Sequence, residues 1–125
     1  MATTVGVTSS GCALVTSLLV SSNVKWVHWG TGTTPFAPSQ SALIAPLPEA
    51  RVAGTQTRQT TVTSNDTYQV VATLTKTTEE AAVTEAGIFN ASTGGYMYCR
   101  AAFSPINVDV DDSIQFTFRI RYIHS

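Results

Sequence analysis

Charge is what this sequence has least of. Charged residues fill 12% of its 125 positions, against about 25% in an average domain. The net charge is -1, and two lysines and five arginines are scattered from Lys25 to Arg121. No continuous basic strip exists to release counterions from a phosphate backbone, so nucleic-acid binding is not expected. The absence of charge blocks also argues against a disordered acidic or basic tail. Cysteine is equally scarce. Cys12 and Cys99 are too few and too far apart for a disulfide scaffold or a Cys-x-x-Cys knuckle, and they read as reduced, buried, small apolar residues. The apolar stretch from Cys12 to Val20 falls far short of the roughly 20 residues of a membrane helix. Met1 to Ser10 holds no basic residue, so no targeting segment is expected. These readings point to a protein made in a cytoplasm, with no membrane partner.

What is abundant is the small hydroxyl side chain: 20 Thr and 12 Ser. Thr and Val lose rotamer freedom in helices and pack well on pleated strands, which favours an all-β chain over a coiled coil. The length fits a single domain over 1–125. Gly11 to Ser21 carries Cys12, Val15, Leu18 and Leu19 at spacings of three and four, which predicts a short amphipathic helix near 11–21, capped by Ser9 or Ser10. From Val24 the pattern becomes two-fold, with Val24, Trp26 and His28 facing one way and Lys25, Val27 and Trp29 the other. A strand is predicted, ending in a long surface loop from Gly30 to Pro48 with one helical turn near Ser41 to Ile44.

Thr55, Thr57, Gln59 and Thr61 then alternate with Gln56, Arg58, Thr60 and Val62. A strand with two polar faces belongs on an edge or against another subunit. Arg51, Thr55, Thr57, Arg58 and Thr60 are therefore candidate subunit or coat contacts. Asn65-Asp66 supplies a turn, and Thr67 to Thr77 places Tyr68, Val70, Ala72 and Leu74 towards a core, so Arg51 to Lys76 reads as one long hairpin. Val83 to Asn90 and Gly95 to Phe103 form a second hairpin around Ala91 to Gly94. The last strand alternates Ile114, Phe116, Phe118, Ile120 and Tyr122 with Ser113, Gln115, Thr117, Arg119 and Arg121. Six or seven such strands predict a β-sandwich of jelly-roll or immunoglobulin-like type.

A four-residue loop at Ala91 to Gly94 would set Glu85 opposite Arg100, Ala86 opposite Cys99, Ile88 opposite Met97 and Phe89 opposite Tyr96. Opposed charges in weakly charged strands predict a structural Glu85–Arg100 ion pair that fixes the register.

Catalytic chemistry finds few of its parts. Only His28 and His124 are neutral-pH bases, and no Gly-x-Ser-x-Gly turn presents a nucleophile. A Cys99–His28 pair would need positioning that spacing does not show. Gly30-Thr31-Gly32-Thr33-Thr34 lacks the lysine of a P-loop. An EF-hand counted from Asp109 would place Ile114 where Gly is required and Ile120 where Glu is required. Cys12, Cys99, His28 and His124 are zinc-binding types without local pair spacing. No enzyme, metal or cofactor is expected. Asn65-Asp66-Thr67 and Asn90-Ala91-Ser92 match the glycosylation acceptor pattern, which matters only in a secretory pathway. Trp26, Trp29, Tyr96 and Tyr98 are open to two readings, a sugar-stacking platform or core and interface packing.

Five segments together resemble one family: Trp26-Val27-His28-Trp29-Gly30-Thr31-Gly32-Thr33-Thr34, Thr84-Glu85-Ala86-Gly87-Ile88-Phe89-Asn90, Met97-Tyr98-Cys99-Arg100, Pro105-Ile106-Asn107 and Asp112-Ser113-Ile114-Gln115-Phe116. They resemble small virion proteins of tailed bacteriophages, described as head decoration (cement) or tail-fibre-like proteins. The similarity runs from Gly11 to Tyr122. The family pattern carries a small residue where His28 stands, so nothing about His28 is carried over. The resemblance implies a β-sandwich subunit, symmetric assembly on a virion and no catalytic residues. It leads to the expectation of a homotrimeric cement protein on the outer capsid surface, bound to the major capsid protein. A tail or fibre-base component and a carbohydrate-binding β-sandwich module are the alternatives.

Overall fold

The computed structural model describes residues 4–123. Helix α1 (Ser9–Ser21) leads into seven strands: β1 (Trp26–Gly30), β2 (Val52–Ala53), β3 (Thr55–Gln59), β4 (Thr67–Thr75), β5 (Ala81–Phe89), β6 (Met97–Val108) and β7 (Ser113–Arg121). They form two antiparallel sheets, a four-stranded one in the order β2-β1-β5-β6 and a three-stranded one in the order β3-β4-β7. Val27, Trp29, Val83 and Ile88 from the first sheet and Tyr68, Val70 and Leu74 from the second make the core. This is the sandwich plus short helix expected from the two-fold alternation. Facing pairs such as Val70 with Phe118 and Leu74 with Ile114 follow from strands that alternate apolar with polar.

Several local expectations are corrected. The cap of α1 is Thr8, whose Oγ1 accepts from Gly11 N at 3.0 Å, rather than Ser9 or Ser10. The buried face of α1 is Cys12 and Thr16, with Leu19 and Val20 against the core, while Val15 and Leu18 face outward. Thr16 turns inward because its hydroxyl is satisfied there: it donates to Asn65 O at 2.6 Å and accepts from Arg58 Nε at 3.3 Å. The stripe 12, 16, 19, 20 has helical spacing too, but a threonine in it hides it from an apolar-only reading.

Arg51 to Lys76 is not one hairpin. Val52 and Ala53 pair with β1 in one sheet and Thr55 to Gln59 with β4 in the other. The chain crosses between sheets at Gly54, where a Cβ would run into Val70 Cγ1. The edge position expected for β3 is present.

The segment after β1 is not merely a surface loop. Its expected helical turn at Ser41 to Ile44 is absent, and a turn forms instead at Pro38-Ser39. Register places His28, Gly30, Glu85 and Gly87 on one face of the sheet, the face opposite the core. The segment returns across that face. Pro46 bridges Gly30, Leu47 N donates to Trp29 O, and Leu43 lies against Gly87. Strand β5 is thereby buried from Val83 to Phe89 on both faces, which is why Glu85 lies in an interior.

Candidate functional site

Glu85 and Arg100 meet, but not in the predicted register. Glu85 faces Ala102, Gly87 faces Arg100, Ile88 faces Cys99 and Phe89 faces Met97. The turn closes between Asn90 and Tyr96, with Gly94 and Gly95 at φ 60° and 69°, one residue beyond the expected position. A bulge between Ile88 and Phe89 then takes up Tyr98. Each one-residue shift turns the strand over. Two of them restore the face, so Glu85 and Arg100 lie diagonally on the same side, within reach of long side chains. Arg100 Nε stands 3.0 Å from Glu85 Oε1, and both side chains are 0% exposed.

Around this pair the long segment is clasped. Glu85 accepts from Gly32 N at 2.8 Å, Ile44 N at 2.9 Å and Ala45 N at 2.8 Å, besides Arg100. Arg100 also donates to Thr34 O at 2.9 Å and to Gln40 Oε1 at 3.2 Å. Burial works to raise the carboxyl's pKa, but the amides of Ala45 and Ile44, the guanidinium and the Gly32 amide outweigh it and hold it below its ordinary value. Gly30 and Gly32 are required by close approach. A Cβ on Gly30 would sit 2.6 Å from Glu85 Oε2 and 2.5 Å from Ala45 O, and one on Gly32 would strike Glu85 Oε2 and Ile44. The glycine-rich run, the Glu85 segment and the Arg100 segment, three of the motifs behind the family resemblance, thus converge on one buried hub.

The clasped segment presents apolar side chains among its exposed hydroxyls. Phe36 is 59% exposed on the clasped segment, and Ile44 of the same segment is exposed too. On α1, Leu14 and Leu18 are each 60% exposed on a helix that carries no charged residue.

Two of the candidate contact residues, Arg51 and Arg58, are engaged within the subunit. Arg51 donates to Ala91 O and Gly94 O at 2.8 Å and lies 3.7 Å over the Phe89 ring. Arg58 bridges β3 to α1, donating to Thr16 Oγ1 and to Ala13 O. Both guanidinium groups brace the subunit itself. Thr57 accepts from Gln59 and Gln69 side chains. Thr55 and Thr60 are exposed, with Thr60 Oγ1 accepting from Asn65 N.

His28 Nε2 lies 2.9 Å from both Leu47 O and Glu49 O, so it pins the returning segment. His124 lies outside the described residues. Burial pushes the Cys99 thiol up to about 11, which keeps it protonated. Among the described residues, no group of three or more His, Cys, Asp or Glu is placed to hold a metal ion. The aromatic platform is not assembled: Trp29 is fully buried edge-on to Phe116, and Tyr98 packs edge-on to Tyr68.

Three buried charges escaped the sequence reading. Lys76 Nζ pairs with Glu49 Oε2 at 2.8 Å, and Asp66 receives the amides of Thr61, Val62 and Thr63 with Arg121 Nε at 3.4 Å. Lys25 is 6% exposed. Two of them had a signal, because Lys76 continues the core-facing phase of Tyr68 to Leu74 and Lys25 shares the phase of Val27 and Trp29. Asp66, in a turn, had none.

No protein family, curated protein or solved structure matches this chain.

Proposed function

We propose that this protein is a bacteriophage decoration (cement) protein. In this reading it assembles as a homotrimer on the outside of the mature head, after synthesis in the host cytoplasm, and clamps neighbouring subunits of the major capsid protein. The reading rests on the family resemblance and is carried by one observation, the buried Glu85–Arg100 hub. The hub spends a fully desolvated ion pair on holding a loop rigid, with Phe36 and Ile44 presented outward. Preorganised apolar side chains on a fixed loop are suited to docking, because little ordering entropy remains to be lost on binding. The uncharged outer face of α1 has the same character. Such a protein works by mass action: binding only the assembled lattice raises its resistance to heat and internal pressure. No catalytic step or cofactor enters this account.

Electron microscopy of purified particles tests it. Many copies spread over the shell are expected, and shells stripped of the protein should release DNA at a lower temperature. A few copies at one vertex would instead assign the protein to a tail or fibre base, and equal robustness of bare shells would remove the cement role.

A further inference from the structure

Among the described residues, Lys25 is a buried charge without a counter-ion. Glu85, Lys76 and Asp66 each have an opposite charge within 4.0 Å, whereas no carboxylate among the described residues comes that close to Lys25. Its Nζ donates to Ser22 Oγ at 2.9 Å and to Asn23 O at 2.8 Å. An ammonium has three protons to donate, and two of them are accepted among the described residues. The C-terminal end of α1 supplies a partial negative charge of about half a unit, which leaves the site short of a full anion. Burial accordingly lowers the pKa of this lysine.

Lys25 is one of the residues lining a groove of about 570 Å³ between the end of α1 and the β5–β6 hairpin. Ser22 and Asn23 line it beside Lys25, and Asn90, Tyr96, Met97 and Tyr98 of the hairpin line it with Leu19 of the helix. Asn90 uses its Oδ1 to accept from Tyr96 N, which leaves its amide NH2 as a donor. Tyr96 is 81% exposed, an aromatic face with nothing stacked on it. A lysine, side-chain amides and an open aromatic ring, with Leu19 and Met97 as apolar lining, form a chemistry that takes a carboxylate and several hydroxyls on a small scaffold with an apolar face.

We propose that this groove binds an acidic sugar, a hexuronate unit whose carboxylate completes the partners of Lys25 while its hydroxyls meet Asn90 and its ring lies against Tyr96. This site is separate from the hub and does not depend on the cement role. The competing account makes Lys25 only a brace for the end of α1.

The test is a titration of the full chain with sodium glucuronate, followed by NMR, with glucose and sodium acetate as comparison probes. Saturable shifts at Asn90, Tyr96, Tyr98 and the Ser22 to Lys25 amides are expected, with glucose and acetate each at least tenfold weaker. Lys25→Met should weaken glucuronate at least tenfold and leave the melting temperature unchanged or higher. Tyr96→Ala, at an exposed rim position, should weaken it several-fold with no change in melting, and it serves as the second variant if Lys25→Met does not fold. Absence of saturable shifts, glucuronate binding indifferent to both substitutions, or acetate binding as tightly as glucuronate would each overturn the proposal. A lower melting temperature in Lys25→Met with glucuronate binding retained would assign Lys25 to the brace.

Discussion

Glu85 and Lys25 are both ionisable groups in the first sheet and its approach, and both are buried, yet their surroundings differ completely. Glu85 is met by three backbone amides and a guanidinium drawn from three separate parts of the chain. Lys25 is met by one hydroxyl and one carbonyl from its own turn. A buried charge is tolerated when its partners match its bonding capacity, and it weakens the fold when they do not. The comparison separates a charge that builds the subunit from one that remains available to a ligand.

The largest effect should come from breaking the hub. Glu85→Ala leaves Arg100 buried and frees the Gly32, Ile44 and Ala45 amides, so chemical denaturation should show a loss of about 3–5 kcal/mol, with proteolysis opening between residues 31 and 48. Glu85→Ala combined with Arg100→Met should cost less than the two single changes added together, since neither charge is stranded. Near-additive losses would mean that the pair is not the organising contact. Gly30→Ala comes next, at about 1–3 kcal/mol, because its Cβ meets the Ala45 carbonyl as well as the carboxylate.

pH sharpens the same contrast through its sign. Glu49 is held down to about 2 against an ordinary 4.5: burial opposes this, but the Lys76 ammonium and the Thr77 and Thr78 donors prevail. Glu85 and Asp66 are shifted in the same direction. Carboxyls with depressed folded-state values contribute stability that is complete above the ordinary carboxylate range and is lost as pH falls through their folded values. Acid titration of unfolding should therefore show stability dropping below about pH 4.5, and Glu49→Gln should flatten part of that drop. Lys25 has the opposite consequence. Its value is lowered in the folded state from an ordinary 10.5, so between the two values the unfolded chain holds more protons and stability rises with pH. Lys25→Met should abolish this alkaline rise and leave neutral-pH stability unchanged or higher by about 1 kcal/mol.

The smallest effect on folding is expected on the outer face of α1. Leu14→Ser with Leu18→Ser should change stability by no more than about 0.5 kcal/mol per site, while a decoration protein that docks through this face would lose its affinity for shells. Full retention of shell binding would leave the Phe36 and Ile44 loop as the surface to examine.

Strands β4 and β7 were readable because each alternates apolar with polar, and a two-residue period is a property of one strand's backbone. Strand β5 was harder. It is buried on both faces, and its second cover is the loop returning from Gly30, which no local pattern announces. The hairpin register was missed for a related reason: a longer turn and a bulge at Tyr98 are separate one-residue events that cancel in face but not in pairing. Arg51 and Arg58 also have partners within the subunit, the hairpin carbonyls and α1, that no local pattern announces.

The sequence by itself determined a sandwich of alternating strands and the edge position of the polar strand, since these follow from side-chain periodicity; it named Glu85 and Arg100 as partners, but through a register that the longer turn and the bulge displace. Only the tertiary structure decided that the loop after β1 is a third layer, that Lys76 finds Glu49, and that Lys25 finds no carboxylate among the described residues. Periodicity is encoded within a few neighbouring residues. Desolvation of a charge is set by whichever distant segments close over it, and that is a property of the assembled fold.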